Sequence, residues 1–145
     1  MTIPSESSVS HWVETTLGLG DKVAQSVCVR FVDTEEMQAL NSQYRGKSRP
    51  TNVLSFPLQM DVLNDMEQDL AGLLGDVVVC APVVEAQARE QNKPCEQHYG
   101  HMIVHGVLHL LGYDHESEEQ AYEMEALEIQ LLAAMNIPNP YVVGP

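Results

Sequence analysis

Apolar positions recur along this chain with two periods, and their succession lays out eight elements. From Ser8 to Leu19, Val9, Trp12, Val13 and Leu17 recur at helical spacing, with Ser8 or Ser10 available as N-cap and Gly18 and Gly20 at the end. From Val27 to Val32, Val27, Val29 and Phe31 alternate with Cys28, Arg30 and Val32, which predicts a strand buried mainly on one side. Asp33-Thr34-Glu35-Glu36 reads as a capping box, Asp33 accepting from an early amide and Glu36 reaching back, and Met37, Leu40 and Tyr44 form the stripe of the helix it opens. Arg45 to Pro50 is a loop by its Gly and Pro, and Thr51 to Phe56 a short strand stopped at Pro57.

Gln59 to Gly72 holds four acidic residues, no basic ones and little periodicity, so it reads as a surface loop and a candidate lid. Leu73 to Ala81 contains Val77-Val78-Val79, the continuous apolar run of a strand covered on both faces, and Pro82 opens a helix to about Gln91. A helix from Cys95 to Leu111 is apolar around most of its circumference, with His98, His101, His105 and His109 as its polar stripe. Ser117-Glu118-Glu119-Gln120 caps the last helix, whose expected buried face is Met124, Leu127, Leu131 and Met135, and whose acidic residues from Glu116 to Glu128 read as a solvated face. The order of elements predicts a single α+β domain with a small mixed sheet packed with helices and the His-bearing helix at its centre.

Composition narrows the picture without changing it. A length of 145 residues with 44% hydrophobic content suits one core. Met1 to Ser8 is polar, and the longest near-continuous apolar segment, Val77 to Val84, is too short to span a bilayer, so a soluble, cytoplasmic protein is expected. Cys28, Cys80 and Cys95 show no Cys-x-x-Cys spacing and read as buried, reduced thiols without disulfides. A net charge of −14 speaks against a generally basic nucleic-acid-binding surface, and Arg45, Lys47 and Arg49, which fall within five positions, read on composition alone equally as a local anion site or as a solvated loop.

The candidate chemistry sits in His105-Gly-Val-Leu-His109-Leu-Leu-Gly112-Tyr-Asp-His115. Residues four apart on a helix are offset by about 40° and about 6 Å, so His105 and His109 point the same way. Gly112 can take the left-handed conformation that ends a helix, and Tyr113-Asp114 then turn His115 back toward the first two rings. Three imidazoles with a fourth position left for water are the pattern of a catalytic zinc site, with other divalent transition metals as possible occupants. The metzincin proteases share this spacing but carry Glu after the first His, where this chain has Gly106, so their general base is missing. Asp76, Asp114 and Glu116 are the carboxylates placed in sequence to orient an imidazole or handle a proton. His98 and His101 carry no defined ligand role.

The stretch from His105 to His115, with Tyr44-Arg45-Gly46-Lys47 and Pro50-Thr51-Asn52-Val53-Leu54-Ser55-Phe56-Pro57, resembles the YbeY family of bacterial endoribonucleases, also called rRNA maturation factors. Leu74-Gly75-Asp76-Val77-Val78 and Met124-Glu125-Ala126-Leu127-Glu128 are similar to the family too. The resemblance implies a zincin-like fold and a single-strand-specific, zinc-dependent endoribonuclease acting in ribosome quality control and in maturation of the 16S rRNA 3′ end. It implies one Zn²⁺ on His105, His109 and His115, Arg45 as the catalytic basic residue, and partnership with single-stranded rRNA, the small ribosomal subunit and its proteins, and an Era-type GTPase. Lys47 and Arg49 suit neighbouring phosphates. The family commonly begins with a short strand before the first helix, for which only Met1 to Pro4 are available here. Two other functions compete with this one: a metallopeptidase, from the metzincin-like spacing, and a non-enzymatic ribosome-assembly adaptor with a structural metal.

Overall fold

A computed structural model describes residues 3–18, 26–46, 51–57 and 73–141. Its elements run α1 (Glu6–Leu17), β1 (Ser26–Val32), α2 (Thr34–Arg45), β2 (Val53–Pro57), β3 (Leu73–Cys80), α3 (Ala81–Glu90), α4 (Cys95–Leu110) and α5 (Glu118–Ala134). This is the expected α+β order, and the expected lid at Gln59 to Gly72 lies outside the described residues. No helix among the described residues is long and apolar enough to cross a membrane.

The described sheet has the order β1-β3-β2, with β1 parallel and β2 antiparallel to β3. Side chains on a strand alternate between faces, and β3 uses both. Val77 and Val79 join a cluster with Trp12, Ile103, Val104, Val107 and Leu108, which places α1 and α4 on that face. Val78 and Cys80 join Val32, Met37 and Leu54, which places α2 on the other. Each fully buried aliphatic side chain contributes roughly 1.5–3 kcal/mol, so β3 and α4 anchor the molecule.

Local chemistry sets the helix starts. Asp33 caps α2, its Oδ1 accepting from the Glu36 amide at 2.8 Å. The Glu36 carboxylate does not complete the expected box: it accepts from Arg30 Nη2 at 2.6 Å instead, a charged partner outcompeting a backbone amide. Ser5 rather than Ser8 or Ser10 caps α1, its Oγ accepting from the Ser8 amide at 3.2 Å: the helix starts at Glu6, so the two later serines lie inside it. Ile3 to Ser5 are not in a strand. The three thiols are free, but only Cys80 is fully buried; Cys28, on the outer strand of the described sheet, is exposed.

Candidate metal centre

Helix α4 is buried from His98 to Leu108 except at His105, and at Gly106 it packs tightly on the sheet. At Gly106 an added Cβ would lie 2.7 Å from Val77 Cγ1 and 3.2 Å from Ser55 Oγ, so a side chain has no room. Ser55 Oγ donates to the Gly106 carbonyl at 2.9 Å and fixes the approach. The position that carries the peptidase base in metzincins here faces the sheet.

One turn on, the helix stops in a Schellman arrangement. The Tyr113 amide donates to the Leu108 carbonyl at 3.0 Å and the Gly112 amide to the His109 carbonyl at 3.1 Å, with Gly112 at φ 104°. This reversal carries His115 back over the helix end. The ligand atoms of His105, His109 and His115 lie within 4.8 Å of one another, and His105 Nε2 and His109 Nε2 are 3.0 Å apart.

That donor set fits a metal ion. Tetrahedral zinc, with Zn–N of about 2.0–2.1 Å, holds its nitrogens roughly 3.4 Å apart. Two neutral imidazoles whose Nε2 atoms face each other can share at most one proton, whereas one cation serves both lone pairs. Burial first, then the neighbouring His105 and His115, lower the His109 pKa and keep its ring in the neutral, ligating form. His105 is half-buried, while His115 is exposed and closes the site on the solvent side.

The residue that sequence reasoning missed is Glu128. The acidic run of α5 reads as a solvated face, yet Glu128 within it is fully buried. Its Oε1 accepts from His105 Nδ1 at 2.5 Å, and its Oε2 meets His101 Nε2 at 3.3 Å and the Tyr141 hydroxyl. Burial pushes the Glu128 carboxyl up, but hydrogen bonds from His101, His105 and Tyr141 outweigh it and hold the pKa at about 2. A signal was available: Glu128 lies four residues after Met124 and three before Leu131, on the buried stripe and not opposite it.

The other candidates are dispersed. Asp114 Oδ1 accepts from the His115 amide at 2.8 Å and stands 3.9 Å from His115 Nδ1, beside the site. Asp76 shares its sheet face with Val78, away from α4, and pairs with Cys28 across the β1–β3 ladder; strand alternation keeps it from the imidazoles. Arg45 ends α2 ahead of Gly46 in the left-handed conformation, and its side chain, like Lys47 and Arg49, lies outside the described residues. His98 packs in the core, its Nε2 2.9 Å from Gln87 Oε1.

Known proteins resemble this chain in sequence and in fold. The endoribonuclease YbeY family profile matches residues 3–136. An endoribonuclease YbeY from Alteromonas mediterranea is 49% identical over 142 residues, covering 96% of this chain and 85% of the relative. The solution structure of TM1509 from Thermotoga maritima matches with a TM-score of 0.51 at 33% identity, covering 90% of this chain and 81% of that one. With its three-histidine cluster, mixed sheet and match over nearly its whole length, the chain belongs to the YbeY endoribonuclease family.

Proposed function

We propose that this protein is a zinc-dependent, single-strand-specific endoribonuclease that acts on rRNA, in ribosome quality control and in maturation of the 16S rRNA 3′ end. The observation that carries this reading is the convergence of His105, His109 and His115 in a member of an endoribonuclease family. Those three residues hold the ion. When bound, zinc supplies Lewis acidity toward a phosphoryl oxygen and acidifies a water molecule near neutral pH.

The chain's own residues do the rest. Arg45 binds the scissile phosphate, where a planar guanidinium can engage two oxygens at once, and Lys47 and Arg49 hold neighbouring phosphates. Asp114 is favoured over Asp76 for handling a proton, because its Oδ1 lies beside His115. The molecule is acidic as a whole, so RNA is held by this local cluster and not by a broad basic surface. A cytoplasmic setting, the small ribosomal subunit and its proteins, and an Era-type GTPase complete the proposal as its partners.

Cleavage of single-stranded RNA that disappears with a chelator and in Arg45→Ala supports this function. Unchanged cleavage under both treatments contradicts it, RNA binding without cleavage points to the assembly adaptor, and peptide cleavage without RNA cleavage points to a peptidase. A 2′,3′-cyclic phosphate at the cut end would show that the RNA 2′-hydroxyl is the nucleophile in place of water.

A further inference from the structure

The three imidazoles differ in what surrounds them. His109 lies in the last turn of α4, its Nε2 3.0 Å from His105 Nε2. His115 has Asp114 3.9 Å away at the surface. Among the described residues, His105 alone of the three is tied to a buried carboxylate from another helix, and that carboxylate uses both oxygens: Oε1 for His105, Oε2 for His101 and Tyr141. Burying a charged group without partners is expensive, and an apolar residue at position 128 would fill the α4–α5 contact at lower cost. A carboxylate kept there needs a reason beyond packing.

Geometry supplies one. A carboxylate accepts and cannot donate, so the 2.5 Å contact places the proton of neutral His105 on Nδ1. Its lone pair is then on Nε2, the atom 3.0 Å from His109 Nε2 and directed at the metal centre. Without Glu128 the ring is free to take the other tautomer or to turn about its side-chain bonds. Tyr141 follows α5 and reaches back to donate to Glu128, so the end of the described chain straps the carboxylate in place.

We infer that Glu128 is the positioning residue of the metal centre, fixing the tautomer and orientation of His105, and that Tyr141 and His101 hold Glu128 in turn. This rests on the reading of His105, His109 and His115 as metal ligands. Loss of such an outer partner costs about 10–100-fold in metal affinity.

The test compares metal-free wild type, Glu128→Gln, Glu128→Leu and Tyr141→Phe by zinc titration against a competing chromophoric chelator. Long-range ¹H–¹⁵N spectra of the same metal-free proteins report the histidine tautomers. Wild type is expected to bind one zinc and to show His105 protonated on Nδ1. Glu128→Leu, which keeps the helix contact apolar, is expected to lose about 10–100-fold in zinc affinity and to show a mixed His105 tautomer. Glu128→Gln, which keeps an acceptor but not the charge, is expected to fall between, and Tyr141→Phe closest to wild type. Wild-type binding with undiminished affinity in both Glu128 variants overturns the inference and leaves the metal centre standing. A wild type that takes up no zinc overturns the metal centre and the inference with it.

Discussion

His105 Nδ1 and Glu128 Oε1 meet at 2.5 Å across the contact between α4 and α5, 23 residues apart in sequence. The candidate metal centre is therefore not confined to the His105–His115 motif: the last helix touches it, and if the three imidazoles hold an ion, site and fold should respond together to its removal.

Metal removal is accordingly expected to lower thermal stability. An ion that binds the folded chain stabilises it by about 2.7 kcal/mol at a free concentration of 100 Kd, if the unfolded chain does not compete. Thermal unfolding with excess zinc and with a chelator measures this, and an unchanged midpoint would argue that the imidazoles do not hold the ion in the folded state.

Gly106→Ala is expected to destabilise the protein although Ala is the better helix former by about 1 kcal/mol. The new methyl would stand 2.7 Å from Val77 Cγ1 and 3.2 Å from Ser55 Oγ, and overpacking of this kind costs about 1–3 kcal/mol. Urea unfolding gives the sign; a variant more stable than wild type would mean that α4 does not lie so close to the sheet.

His98 is expected to make stability pH-dependent. Burial, then the charges of Lys93 and His101, lower its pKa from 6.5 to about 4. Between those values the unfolded chain binds the proton more readily, so the contribution is complete above pH 6.5 and is lost as pH falls toward 4. Replacement by an apolar side chain of similar size, His98→Leu, is expected to flatten the stability profile in that window. An identical slope in wild type and variant would contradict the assignment.

Arg30 and Glu36 form a 2.6 Å ion pair whose side chains are 47% and 51% exposed. Exposed pairs contribute about 0.2–1 kcal/mol, so Arg30→Ala is expected to change urea stability by less than about 1 kcal/mol. A larger loss would show that the pair does more than decorate the surface.

Much of this was legible in the sequence because local rules and burial agree. The Val77-Val78-Val79 run marks the central strand, Asp33 and Ser117 cap the helices their positions suggest, and Gly112 ends α4 as its spacing to the histidines requires. Glu128 was hidden because a run of acids on a helix reads as solvated, and only the packing of α5 against α4 tells which acid turns inward. Asp76 misled for the converse reason: proximity to a strand start says nothing about which face of the sheet a side chain takes. The serine capping α1 was harder to read because the apolar stripe begins only at Val9, whereas the helix starts three residues earlier, at Glu6.

If His105, His109 and His115 hold a catalytic ion, metal and activity leave together when one of them is removed. Metal content by mass spectrometry of wild type and His109→Ala, with single-stranded RNA cleavage measured on the same samples, tests it most directly. One equivalent of zinc and cleavage in wild type, both lost in the variant, is the predicted result; stoichiometric zinc retained in His109→Ala would contradict it.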